Sequence, residues 1–207
     1  MRNRARQRSA AHARSMKKII LTGFMATGKS TVARHLARRL RWRLIDCDAE
    51  ISARAGKPIH QIFKDCGEAH FRAMERRIIA EITTDPRRCA QCGERRPAVI
   101  ALGGGAIVDP QNYAALHDCG VIICLSARPE VIARRIASGI KARPMLAQSG
   151  VPVKQRIAEL MEKRREAYAR AAFTIDTSDR TVEQVVDAIL DAMAKNYPMI
   201  VHPPAHA

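Results

Sequence analysis

The run Gly23-Phe24-Met25-Ala26-Thr27-Gly28-Lys29-Ser30 fits G-x-x-x-x-G-K-[ST], a spacing whose chemistry is the cradling of phosphate. The glycines let backbone N–H groups turn inward on phosphate oxygens, and a helix starting behind them adds partial positive charge. In such a loop Lys29 reaches the β- and γ-phosphates of a nucleoside triphosphate, and the Ser30 hydroxyl ligates Mg²⁺. The neighbouring residues Ala26, Thr27, Gly28 and Thr31 complete the contacts expected for the nucleotide. Asp46 and Asp48 lie two apart, so in extended geometry both carboxylates leave one face of a strand. One can hold a water of the metal shell, and the other can orient an attacking hydroxyl or accept its proton. Asp48 also suits a helix N-cap before Ala49-Glu50-Ile51, so capping stands as its second reading. Gly103-Gly104-Gly105 allows a backbone to approach a ligand closely, because no Cβ intervenes; a flexible junction is the alternative.

These residues need a scaffold, and the hydrophobic pattern supplies one. Lys18-Ile19-Ile20-Leu21-Thr22 reads as a buried parallel strand, and Val32, Leu36 and Leu40 behind the glycine loop recur at helical spacing. Further strands are expected at Trp42–Ile45, Ala98–Leu102, Val121–Leu125 and Phe173–Asp176. Between them lie a short helix around Ile59 and Phe63 stopped by Gly67, and an amphipathic helix from Glu68 to Ile82. Helices are also expected from Pro110 to Leu116, Pro129 to Ile136, Val153 to Tyr168 and Val182 to Met193. Strands alternating with helices predict the α/β class: a three-layer P-loop NTPase fold, with five parallel strands flanked by helices.

The chain has 207 residues, 47% of them hydrophobic, enough for one domain with a substantial core. Its longest apolar runs are strand-sized, so no membrane span is expected. The net charge is +16, of which residues 1–18 contribute seven through Arg2, Arg4, Arg6, Arg8, Arg14, Lys17 and Lys18, with no acid. The rest suits an enzyme of anionic substrates rather than a nucleic-acid binder. The head is read as a disordered basic extension over 1–15; Met16 as the true start, or a basic transit or RNA-binding arm, are the other readings. Six cysteines without a secretory signal argue for a reducing compartment and free thiols. Cys89 and Cys92 have the spacing of half a zinc site, which two chains could share, or of a redox-active pair; a surface insertion near 83–97 carrying two thiols is the simpler reading. The expected core is a single domain over 16–194, with residues 195–207 as a tail.

A phosphate loop alone does not choose among GTPases, motors and small-molecule kinases. The size argues against most motors, and no guanine-reading Asn-Lys-x-Asp is present, which leaves a compact kinase. The sequence resembles the shikimate kinase family over roughly residues 16–193. The resemblance rests on Gly23 to Thr31, Asp46-Cys47-Asp48, Gly67-Glu68 with Phe71-Arg72, the three glycines, Arg143-Pro144-Met145-Leu146, and Arg164 with Tyr168. It implies ATP-dependent phosphorylation of the 3-hydroxyl of shikimate, on the route to chorismate and the aromatic amino acids, by a cytosolic monomer. It also implies roles. Arg72 and Arg164 bind the substrate carboxylate, Asp48 contacts the ring hydroxyls, and Gly104 offers a backbone donor. Asp46 accompanies Mg²⁺, Arg143 belongs to a mobile lid near 138–153, and Arg135 and Arg180 flank the nucleotide. Lys29, Asp48 and Arg143 are the expected catalytic set.

Two departures from the family pattern stand out. Ala26 occupies a loop position where many members have glycine. The family's Arg-x-Pro-Leu-Tyr is here Arg164-Arg165-Glu166-Ala167-Tyr168, which makes Arg165 a competitor for the role of Arg164. A related kinase for another polyhydroxy acid, such as gluconate, and a nucleotide-gated binding module are the alternative functions.

Overall fold

In the computed structural model the described residues are 18–84, 97–137 and 152–201. The basic head, Cys89, Cys92, most of the expected insertion, and Arg143 with nearly all of the expected lid lie outside them. Five parallel strands, β1 (Lys18–Thr22), β2 (Arg43–Asp46), β3 (Ala98–Ala101), β4 (Val121–Ser126) and β5 (Phe173–Asp176), lie in the order β2-β3-β1-β4-β5. The three central strands are apolar and almost wholly buried, as a sheet covered on both faces requires.

Alternation along the strands divides the core in two. Ile19 and Leu21 of β1 face α1 (Lys29–Leu40) and α8 (Val182–Asn196), packing with Val32, Leu36, Val186 and Ile189. Ile20, Ile100 and Ile122, aligned across β1, β3 and β4, face the other side. There they meet α2 (Cys47–Ala55), α3 (Ile59–Thr84) and α4 (Pro110–His117) through Ile51, Ile62, Phe71, Ile78 and Leu116. A third cluster joins Phe24 to α5 (Pro129–Ile136) and α6 (Val153–Lys163) through Ile132, Ile136, Ile157 and Leu160. Among the described residues no helix is long and apolar enough to cross a membrane.

The strand order fixes where chemistry can occur. The chain leaves β1 for β2 on one side, returns to β3 beside β1, and then crosses to β4 on the other side. In open α/β sheets, ligands bind in the crevice beyond the strand ends where that reversal takes place. Here β1 and β3 are direct neighbours, so the loop after each opens into the same crevice.

Several boundaries differ from the sequence reading. Asp46 closes β2, and α2 begins at once with Cys47, so Asp48 sits in a first helical turn and does not share a strand face with Asp46. The helix cap is Asp46, whose Oδ1 accepts from the backbone N–H groups of Asp48 and Ala49. Gly67, by contrast, is non-helical (φ 78°, ψ 172°) and divides α3 into two helices at a kink, the stop that the sequence reading expects. The expected helix from Val153 to Tyr168 breaks at Arg164 (φ −107°, ψ 0°) into α6 and α7 (Arg165–Ala169). Past residue 194 the described chain continues to residue 201: α8 runs to Asn196, and α9 (Pro198–Val201) buries Ile200.

Candidate active site

The loop between β1 and α1 is shaped by its backbone. Gly23 has φ 129°, and a Cβ there would lie 2.0 Å from the carbonyl oxygen of Leu125, a position only glycine can hold. Gly28 (φ 93°) is the N-cap of α1. The side chains of Lys29 and Thr27 each donate to the carbonyl oxygen of Phe24, at 2.8 Å. Burial holds the Lys29 ammonium well below the ordinary lysine range, at about 8, although the nearby Asp48 and Asp46 carboxylates pull the other way. Ser30 follows on the exposed first turn of α1.

Next to this loop lie the three glycines. A Cβ on Gly104 would stand 3.3 Å from the carbonyl oxygen of Gly23 and 3.4 Å from the amide nitrogen of Met25, so the two glycine segments abut. Two acids crowd the first glycine: a Cβ on Gly103 would lie 2.8 Å from Oδ1 of Asp48 and 2.7 Å from Oε1 of Glu75. The third admits an arginine, since a Cβ on Gly105 would be 2.8 Å from both terminal nitrogens of Arg72. A plain junction would not bring a catalytic-type acid, a second acid and a guanidinium against three successive residues. The three glycines are closely packed by the side chains of Asp48, Glu75 and Arg72 and by the phosphate-loop backbone.

The two arginines are held differently. Arg72, on α3, donates from Nη1 to Oε2 of Glu75 at 2.7 Å and from Nη2 to Oε1 of Glu68 at 3.1 Å. Arg164 is 8% exposed and donates to the carbonyl oxygen of Gly104 at 3.1 Å, where Tyr168 also donates, at 2.5 Å. The break between α6 and α7 turns Arg164 inward. The same break leaves Arg165 outside, paired with Glu162 at 2.9 Å on the exposed surface. Of the two competitors it is Arg164 that reaches the cleft. Arg72, Arg164, Glu68, Glu75 and Gly105 line an open cavity of about 740 Å³ that runs on to the start of α4.

Burial also sets the charge states. It pushes the Asp48 carboxyl above its ordinary value; Lys29 and Arg72 oppose that shift, and Asp46 reinforces it. Glu75 is 1% exposed and likewise raised by burial against the pull of Arg72, and its Oε1 has no hydrogen-bond partner among the described residues. The sequence reading missed Glu75. Its signal was present: an acid four residues after Phe71 and three before Ile78, on the buried stripe of an amphipathic helix.

On the other side of the phosphate loop, a smaller cavity of about 200 Å³ is bounded by Gly28, Thr31, Arg135, Arg180 and Val185. Arg135 donates to the carbonyl oxygens of Ala26 (3.3 Å) and Thr177 (2.7 Å). The described site residues therefore lie around two cavities, one on each side of the phosphate loop: Arg135 and Arg180 border one, and Arg72 and Arg164 border the other.

A family model for shikimate kinase matches residues 25–194. The chain belongs to the shikimate kinase family. Its similarity to a shikimate kinase of Caldanaerobacter subterraneus is 41% identity, covering 87% of this chain and 98% of that one. A shikimate kinase of Geobacter sulfurreducens is also 41% identical, over 84% of this chain and 88% of the relative. Among solved structures, a shikimate kinase from Acinetobacter baumannii in complex with shikimate superposes with a TM-score of 0.78 at 31% identity, covering 91% of this chain and 98% of that one. A gluconokinase from Sinorhizobium meliloti shares the fold, with a TM-score of 0.58 at 14% identity. As a member of the shikimate kinase family the chain is an ATP-using kinase, a transferase.

Proposed function

We propose that this site transfers the γ-phosphate of ATP to the 3-hydroxyl of shikimate, giving 3-phosphoshikimate and ADP, with the following division of labour. The phosphate loop from Ala26 to Thr31 binds the triphosphate, and the Lys29 ammonium neutralises charge on its β- and γ-oxygens. Arg72 and Arg164 grip the shikimate carboxylate, since guanidinium forks match carboxylate geometry. Asp48 orients the ring hydroxyl and takes its proton as the phosphorus–oxygen bond forms; a carboxyl raised by burial is a better base near neutrality than an exposed one. Gly104 adds a backbone donor to the substrate. Arg143, outside the described residues, is assigned the closing charge over the phosphates, and Arg135 and Arg180 flank the nucleotide.

The donor set suits a small hard cation. The Ser30 hydroxyl and the Asp46 carboxylate are oxygen donors, and among the described residues no cluster of three or more His, Cys, Asp or Glu forms a cage. That fits Mg²⁺, which is held by one or two protein oxygens and otherwise by phosphates and water. Asp46 uses Oδ1 as a helix cap, which leaves Oδ2 as the oxygen it would offer to the metal's water shell. When bound, the cation supplies charge neutralisation at the transferring phosphoryl group. A single kinase domain over 16–194, acting as a cytoplasmic monomer, completes the proposal.

The observation that carries this reading is the convergence of Asp48, Arg72 and Arg164 on three consecutive glycines, the middle one of which abuts the phosphate loop. The test is product identity. After incubation with ATP, Mg²⁺ and shikimate, phosphorus NMR should show one new phosphomonoester coupled to the ring proton at carbon 3. A phosphate on another hydroxyl, or release of free phosphate alone, would contradict the proposal.

A further inference from the structure

Thr177, the residue after β5, has no assigned part in the chemistry, yet it is 3% exposed and lies in contact with the phosphate loop. Its Oγ1 is 3.1 Å from the carbonyl oxygen of Thr27 and 3.0 Å from that of Ser126, and its single proton serves these two acceptors. The same oxygen accepts from Nη1 of Arg135 at 3.1 Å, while its carbonyl accepts from Nη2 at 2.7 Å. Arg135 in turn donates to the carbonyl oxygen of Ala26 at 3.3 Å. Two successive loop carbonyls are thus held from outside by one threonine–arginine unit.

The physical need is local. Ala26 adopts φ 60°, a left-handed conformation that costs a residue with a Cβ about 1 kcal/mol or more. Such a residue persists only where its surroundings over-determine it. Holding the Ala26 and Thr27 carbonyls outward leaves the loop's amides to face the phosphates, and a loop formed in advance loses less entropy on binding. Arg135 also lies at the end of α5, where the chain enters the segment expected to form the lid.

We infer that Thr177 is a positioning residue for the nucleotide site, holding the Ala26–Thr27 backbone in its phosphate-binding shape directly through its hydroxyl and indirectly through Arg135. This rests on the proposed kinase reading. The two arms of the unit are asymmetric: Thr177 touches neither the cavity of Arg72 and Arg164 nor their partners, so its effect falls on nucleotide and not on shikimate.

The test compares T177V, T177A and T177S with the wild-type chain by titration calorimetry with ADP and by steady-state kinetics with shikimate. Valine keeps the shape and deletes the hydroxyl. T177V should weaken ADP about tenfold and raise the ATP KM in step, with the shikimate KM within about twofold. T177S, which restores the hydroxyl, should lie within about twofold of wild type for both ligands. If valine prevents folding, T177A is read in the same way, with a loss of about threefold or more expected. Unchanged ADP affinity in a folded hydroxyl-deleted variant, a T177S as weak as T177V, or equal losses for ADP and shikimate would each overturn the inference. Failure of the wild-type chain to bind ADP at all would overturn the kinase reading itself, which separates the two.

Discussion

The Asp48 carboxylate and Gly103 are so closely apposed that a Cβ on the glycine would lie 2.8 Å from Oδ1. A Gly103→Ala change meets only the ends of two movable side chains, Asp48 and Glu75, and no backbone. The fold should therefore survive while the acid is displaced. A displacement of a reacting group by about 1 Å can cost on the order of 100-fold in rate. We expect Gly103→Ala to lower kcat by about 10- to 100-fold with the melting temperature within a few degrees of wild type. Steady-state kinetics beside a thermal melt checks this; a collapse of stability with normal kcat per folded molecule would contradict it.

Arg164 and Arg165 are adjacent in sequence and opposite in placement. Hydrogen bonds to charged groups are worth about 1.5–3 kcal/mol, or about 10- to 100-fold in binding. Arg164→Ala should raise the shikimate KM by that factor, whereas Arg165→Ala, which removes only an exposed pair with Glu162, should leave kinetics within about twofold. Equal effects at the two positions would return the carboxylate-binding role to open competition.

The partly buried ammonium of Lys29 predicts an alkaline limb. A lysine at about 8 loses its charge as pH rises through that value, and with it the attraction for triphosphate. Because kcat/KM reports the free enzyme, kcat/KM for ATP should fall above about pH 8 while the shikimate KM changes less. Lys29→Arg, which stays charged, should abolish that limb at a lower overall rate. A flat profile from pH 7 to about 10 in the wild-type enzyme would contradict the assignment.

Glu75 and Asp48 are both raised in the folded protein, chiefly by burial. The folded state therefore keeps protons that the unfolded chain releases above about pH 4. Their contribution to stability is present at acid pH and declines as pH rises through the folded values. Glu75→Gln should make the melting temperature less dependent on pH in the weakly acidic range. It should also raise the shikimate KM, because Arg72 keeps only a neutral acceptor where it had a carboxylate at 2.7 Å. Melts at several pH values, with kinetics at neutrality, separate the two effects.

Much of this site was legible before the structure. The phosphate loop declared itself because its spacing sat between a β-rich apolar run and a helix-period pattern, and that context is local in sequence. The arginines were harder: nothing within Arg164-Arg165 says which side chain turns inward, and the helix break that decides it comes from packing of α6 and α7. Period-two spacing, the simplest geometry, places Asp46 and Asp48 on one strand face. The early start of α2 overrode it and gave Asp46 the capping role foreseen for Asp48. Thr177 was invisible, since its partners lie 150 and 51 residues away and its own segment reads as an ordinary strand end.

The central claim is that Asp48 and the two arginines select shikimate as the acceptor. ADP formation measured with ATP and Mg²⁺ against shikimate, gluconate and no acceptor, for the wild-type chain and Asp48→Asn, tests it most directly. The account predicts turnover with shikimate far above the other two, and a loss of about 100-fold or more in the variant. Equal turnover with gluconate, or an Asp48→Asn enzyme as fast as wild type, would contradict it.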